Sequence, residues 1–97
     1  RLERRQPSPV VALNRAVAVA MVEGAEAGLA LVETLAAEGA LDDYHLLHAV
    51  RADLLRRLGR RLQAAESYAR ALGLASQAGE RTFLERRLAA CSDPAAS

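Results

Sequence analysis

Lysine, isoleucine and tryptophan are absent from these 97 residues, and all 13 basic residues are arginine. That bias fits the codon usage of a GC-rich bacterial genome and carries no information about activity. A single cysteine, Cys91, excludes an internal disulfide and leaves the compartment open, with the cytoplasm the expectation. Aromatic residues amount to only 3%, so alanine and leucine must fill the core, a composition that suits helices approaching one another closely. The net charge of +1 lacks the basic excess by which nucleic-acid binders attract phosphates. No apolar run reaches the roughly 18 residues that a membrane-spanning helix needs. Catalytic patterns are missing too. Ser8, Ser67, Ser76, Ser92 and Ser97 have no His–Asp arrangement around them, no glycine-rich loop follows a strand, and helix capping accounts for Asp42–Asp43. The expectation is a protein that is not an enzyme and has no cofactor or metal.

What is present is helical periodicity. Ser8-Pro9 marks a helix start, a serine cap followed by proline where its missing N–H is harmless. The first helix runs from Val10 to Glu23 and is apolar nearly all round, which predicts burial on several faces, in part by an upstream element. Gly24 ends it, and a second helix covers 25–38. After the connector Gly39–Asp42, with Asp42 or Asp43 as cap, a third spans about 44–58. Gly59 separates it from a fourth over about 61–76, and Gly79 precedes a fifth, Glu80–Cys91, whose Phe83, Leu84 and Leu88 are expected to cover the preceding pair. Leu2–Gln6 reads as the tail of an earlier helix, and residues 93–97 should fray. With no methionine at Arg1, the chain is expected to be the C-terminal part of a longer protein, with residues 1–92 forming one domain.

The fourth helix carries Ala64, Tyr68 and Ala71 at i, i+4, i+7, a small–large–small face on which a neighbouring helix can nest around the tyrosine. That is the second half of a tetratricopeptide (TPR) helix-turn-helix. Arg15-Ala16 recurs as Arg51-Ala52 after 36 residues, and Ala27 and Leu31 recur as Ala64 and Tyr68 after 37. The reading is an all-α, TPR-like stack of antiparallel hairpins, two repeats plus a capping helix, forming a right-handed α-solenoid fragment.

Seven residues are candidates for partner binding: Asn14, Arg15, His45, His48, Arg51, Arg56 and Arg60. His45 and His48 have a metal-compatible i, i+3 spacing, but zinc needs three or four ligands, so groove lining or packing is preferred. Arg56, Arg57, Arg60 and Arg61 cluster around Gly59. They either meet an acidic partner or nucleic-acid backbone, or form a solvated helix end suited to the helix dipole. Asn14, Arg15 and Arg51 interrupt apolar helices. Either the arginines form structural ion pairs with Asp53, Glu33 or Glu66, or they hold a peptide carboxylate in a concave groove.

Two segments are more specific than a generic TPR: 7–20 (PSPVVALNRAVAVA) and 44–60 (YHLLHAVRADLLRRLGR). Both resemble the C-terminal extension of a group of bacterial extracytoplasmic-function-type RNA polymerase sigma factors, common in actinobacteria. The closing stretch 80–88 (ERTFLERRL) resembles that family's last helix. The resemblance implies a non-catalytic domain that regulates transcription initiation through protein contacts. Its partners would be the sigma-factor core domains, RNA polymerase or an unknown protein regulator, with neither promoter DNA nor membrane bound by the fragment itself. The alternative is a TPR adaptor in another bacterial assembly.

Overall fold

A computed structural model describes residues 8–92, so the expectations for Leu2–Gln6 and for residues 93–97 lie outside the described residues. Five helices follow in order: α1 (Pro9–Glu23), α2 (Ala25–Glu38), α3 (His45–Arg57), α4 (Arg61–Leu74) and α5 (Ala78–Ser92), with no strand among the described residues. Each helix packs chiefly on its chain neighbours, giving an elongated body of 56 × 30 × 20 Å. Its radius of gyration of 14.1 Å exceeds the roughly 13 Å typical of a compact domain of this length.

Local chemistry explains the boundaries. The Val11 N–H donates to Ser8 Oγ at 3.2 Å, and Pro9 opens α1. Gly24, at φ 110°, joins α1 to α2 in a single residue, a backbone state that favours glycine. Neither Asp42 nor Asp43 caps α3; Tyr44 occupies that position without a side-chain bond. Both aspartates face Arg70 of α4 instead, Asp42 at 3.1 Å and Asp43 at 3.8 Å, where a charge-assisted bond outcompetes a lone backbone N–H. α4 ends two residues short of its expected limit at Ser76. The helix stops at Leu74, and Arg81 at the start of α5 donates to the carbonyls of Leu72 (2.9 Å) and Ala75 (3.2 Å). Arg61 does the reverse, reaching from the start of α4 to the carbonyls of Ala90 (3.3 Å) and Cys91 (3.2 Å) at the end of α5. A cation that is unfavourable at its own helix N-terminus is thereby placed at a neighbour's C-terminus, where the dipole welcomes it.

The hairpins recur with one offset. α3 begins 36 residues after α1, and α4 begins 36 residues after α2. Gly28, Val32 and Leu35 are therefore the counterparts of Ala64, Tyr68 and Ala71, and all six are buried. This corrects the 37-residue pairing of Ala27 and Leu31: Leu31 lies 40% exposed. Ala16 and Ala52, both fully buried, keep their 36-residue match. The α1 and α2 backbones approach closely where Gly28 lies against Ala16 and Ala20.

Burial of α1 differs most from expectation. Only Leu13, Ala16 and Ala20 are buried, while Val10, Val11, Val17, Met21 and Val22 remain exposed. Its buried positions fall on one stripe because α2 supplies most of its packing and α3 a small part. The Tyr68 ring is 1% exposed and ranks with Leu47, Leu55 and Val32 among the most deeply buried large side chains.

Candidate interaction groove

The first helix of each hairpin and α5 form the walls of a concave groove of about 670 Å³. Val17 and Met21 come from α1; Val50, Asp53, Leu54, Arg56 and Arg57 from α3; Phe83 and Arg87 from α5. Tyr68 of α4 contributes to the floor. Beside it lies a smaller, mostly apolar hollow of about 300 Å³, lined by His45, Leu46, Ala49, Gly79, Glu80, Phe83 and Leu84. Ala49 and Phe83 border both spaces, so the two adjoin across the Phe83 ring.

The helical spacing explains which α3 residues face this way. Val50, Asp53, Leu54 and Arg57 follow i, i+3, i+4, i+7 and so share one side of the helix. On α5, Phe83 and Arg87 are four residues apart, and the Arg87 guanidinium carbon sits 5.0 Å from the Phe83 ring centroid. Phe83 is 52% exposed, a large apolar surface left beside a cation.

The groove is electrostatically asymmetric. Three guanidinium groups, from Arg56, Arg57 and Arg87, share it with one lining carboxylate, Asp53. Asp53 accepts from Arg56 and forms an ion pair with Arg57 at 3.0 Å. Arg56 also donates through Nε to the Tyr68 hydroxyl at 3.3 Å. The hydrogen bond to Asp53 is the main cause raising the Arg56 pKa above its ordinary value, so the group is a permanent cation. Burial pushes the Tyr68 phenol above its ordinary value, with the Arg56 hydrogen bond opposing.

The seven candidate residues do not form a single site. Arg56 lines the large groove and His45 the small hollow. His45 is also tied to α5 through Glu80 at 2.9 Å. His48 donates from Nε2 to the Asp42 carbonyl at 2.8 Å, so the two histidines point to different partners. No group of three potential metal ligands exists among the described residues. Arg51 makes a two-pronged bond with Glu33 of α2 (2.8 and 3.0 Å) and another with the buried Ser67 hydroxyl of α4 (2.6 Å). It ties three helices together and is absent from the groove lining. Asn14 and Arg15 are exposed, since the buried stripe of α1 passes them by. Arg60 is exposed as well, 3.5 Å from Glu26. The sequence pattern does not single out Val17, Met21, Phe83 or Arg87 as groove residues. The i, i+4 pairing of Phe83 with Arg87 is the available signal; of Phe83, Leu84 and Leu88, expected to cover the preceding pair, Leu84 is buried and Leu88 partly buried, while Phe83 is left 52% exposed.

No known protein-family profile matches the chain. No solved structure matches it. Among curated proteins it is similar to an uncharacterized protein of Rhizobium meliloti (strain 1021), 48% identical over 87 residues. That match covers 90% of this chain and 20% of the relative, so the chain spans about a fifth of that protein's length. No described helix is long and apolar enough to cross a membrane.

Proposed function

We propose that the chain is a TPR-like regulatory interaction domain of a bacterial RNA polymerase sigma factor, a right-handed solenoid fragment acting in the cytoplasm. The observation that carries the interaction role is the open groove, with apolar walls and a surplus of guanidinium groups, lined by α1, α3 and α5. The 36-residue recurrence of the hairpins lies close to the roughly 34 residues of a TPR unit and supports that repeat type. The sigma-factor assignment rests on the resemblance of residues 7–20, 44–60 and 80–88 to that family's C-terminal extension. The greater length of the Rhizobium relative accords with a domain attached to a larger protein. In this reading the domain docks on the sigma core, on polymerase or on a regulator, and promoter reading belongs to other parts of the parent.

Deleting the domain from the parent is expected to change promoter-dependent transcription in vitro. Unchanged transcription and regulation would refute the regulatory role, and tight sequence-specific DNA binding by the 97-residue chain would refute the division of labour. The groove taken alone equally favours an adaptor in another assembly. Sigma-type helices encoded upstream select the first reading, and further helical repeats the second.

A further inference from the structure

The two adjoining spaces differ in chemistry in a way that specifies a ligand. In the large groove Arg56 and Arg57 share Asp53, and Arg87 stands over Phe83. A guanidinium carries five N–H donors, so one carboxylate leaves these three cations with donors to spare. Across Phe83, the small hollow presents Leu46, Ala49 and Leu84, with the His45–Glu80 pair at its rim. Met21 lines the same groove from α1 and is 77% exposed, an adaptable apolar contact. An aromatic anchor flanked by arginines is the composition found at the energetic centres of protein interfaces.

We propose that this double groove binds a short acidic–apolar segment of a partner protein. A carboxylate of that segment pairs with Arg57 and Arg87, and a neighbouring apolar side chain crosses Phe83 into the Leu46–Leu84 hollow. Charge complementarity selects this occupant, because the three lining guanidinium groups outnumber the two lining carboxylates, Asp53 and Glu80, and all three lie in the large groove, where a basic segment would be repelled. The proposal rests on reading the chain as an interaction domain and names the chemistry of its partner.

The test uses the 97-residue chain and two fluorescein-labelled peptides. One is built of leucine, alanine and aspartate; the other has every aspartate replaced by lysine. Fluorescence anisotropy should show the acidic peptide binding and weakening with added salt, with no saturation by the basic one. Phe83→Ala and Arg87→Glu should each weaken the acidic peptide about tenfold or more. Both side chains are on the groove wall, and circular dichroism should report an unchanged helical fold. Equal binding of the two peptides, no binding of either, or full affinity in both variants would overturn the proposal. So would self-association in sedimentation velocity that Phe83→Ala abolishes, which would make the occupant a second copy of the chain. Deletion of the domain from the parent, read beside the peptide binding, separates this inference from the regulatory role. If domain deletion alters transcription while the peptides fail, the groove chemistry falls and the regulatory role stands. If the acidic peptide binds as expected while deletion has no effect, the regulatory role falls and the groove chemistry stands.

Discussion

Gly28 and Gly73 both lie within helices, yet replacing each with alanine should change stability in opposite directions. Alanine is favoured over glycine in a helix interior by about 0.8–1.0 kcal/mol, because it loses less backbone entropy on folding. At Gly73, in the last turn of α4, nothing lies within 4 Å of a new methyl, so the Gly73→Ala variant should gain up to that amount. At Gly28 of α2 the methyl would overlap the Ala20 Cβ and come within 3.0 Å of the Ala16 carbonyl oxygen and the Ala20 Cα. None of these atoms can rotate away, since all belong to backbone or sit one bond from it. α1 and α2 must separate, and overpacking of this kind costs about 1–3 kcal/mol, with weaker dispersion attraction along the opened seam. After the propensity gain is subtracted, Gly28→Ala should destabilise by up to about 2 kcal/mol. Urea unfolding followed by circular dichroism at 222 nm measures both variants. Adding Ala20→Gly to Gly28→Ala should recover part of the loss, giving a coupling of about 1 kcal/mol in a double-mutant cycle. If Gly28→Ala stabilised the chain as much as Gly73→Ala, the close approach of α1 and α2 would be refuted.

Tyr68→Ala should cost about 3–5 kcal/mol, as deletion of a fully buried ring does, and a loss under about 1 kcal/mol would show that the ring is not wedged between helices. Tyr68→Phe should cost only about 0.5–1.5 kcal/mol, the net worth of the bond from Arg56. Stability should hold through neutral pH and fall as pH rises above about 10, where the unfolded phenol ionises while burial keeps the folded one protonated. Tyr68→Phe should flatten that slope, and absorbance at 295 nm in a Tyr44→Phe background reports the Tyr68 titration directly because the chain lacks tryptophan. Arg51→Met should lose about 1–3 kcal/mol by orphaning the Ser67 hydroxyl and freeing Glu33, whereas Arg15→Met should stay within about 0.5 kcal/mol; equal effects in urea unfolding would contradict the different placement of the two arginines.

Helix number and the buried role of the Ala64–Tyr68–Ala71 face are legible in the sequence because periodicity and glycine punctuation are local signals. Ser8-Pro9, Gly24 and Gly59 each act on the residues beside them. Matching Leu31 to Tyr68 follows a side-chain likeness, large apolar to large apolar, whereas the true counterpart is Val32. Gly28 is small because α1 approaches it, a fact about a neighbour eight positions away in the chain. Arginine is harder still. Arg51, Arg56, Arg61 and Arg81 look interchangeable in sequence, yet they bridge three helices, line the groove and reach two helix ends respectively. Their long side chains choose among partners that only the packed helices bring within reach. An aromatic residue on a terminal helix is usually covered, which is why the sequence points Phe83 to the core. Leu84, expected there with it and rotated by about 100° one residue on, is buried, and that rotation leaves Phe83 half exposed.

The paired reach of Arg61 and Arg81 has a consequence for how this hairpin can diverge. Each guanidinium is held by main-chain carbonyls, at Ala90 and Cys91 in one case and at Leu72 and Ala75 in the other. A carbonyl oxygen is present whatever side chain its residue carries. Mutation at positions 72 and 75 is therefore free of any obligation to match Arg81, while loss of Arg81 has no single compensating substitution at those positions. Related chains should retain Arg81 with no correlated change at positions 72 and 75. Contact inference from paired substitutions would then be blind to the tie that fastens α5, and with it Phe83 and Arg87, to the rest of the stack.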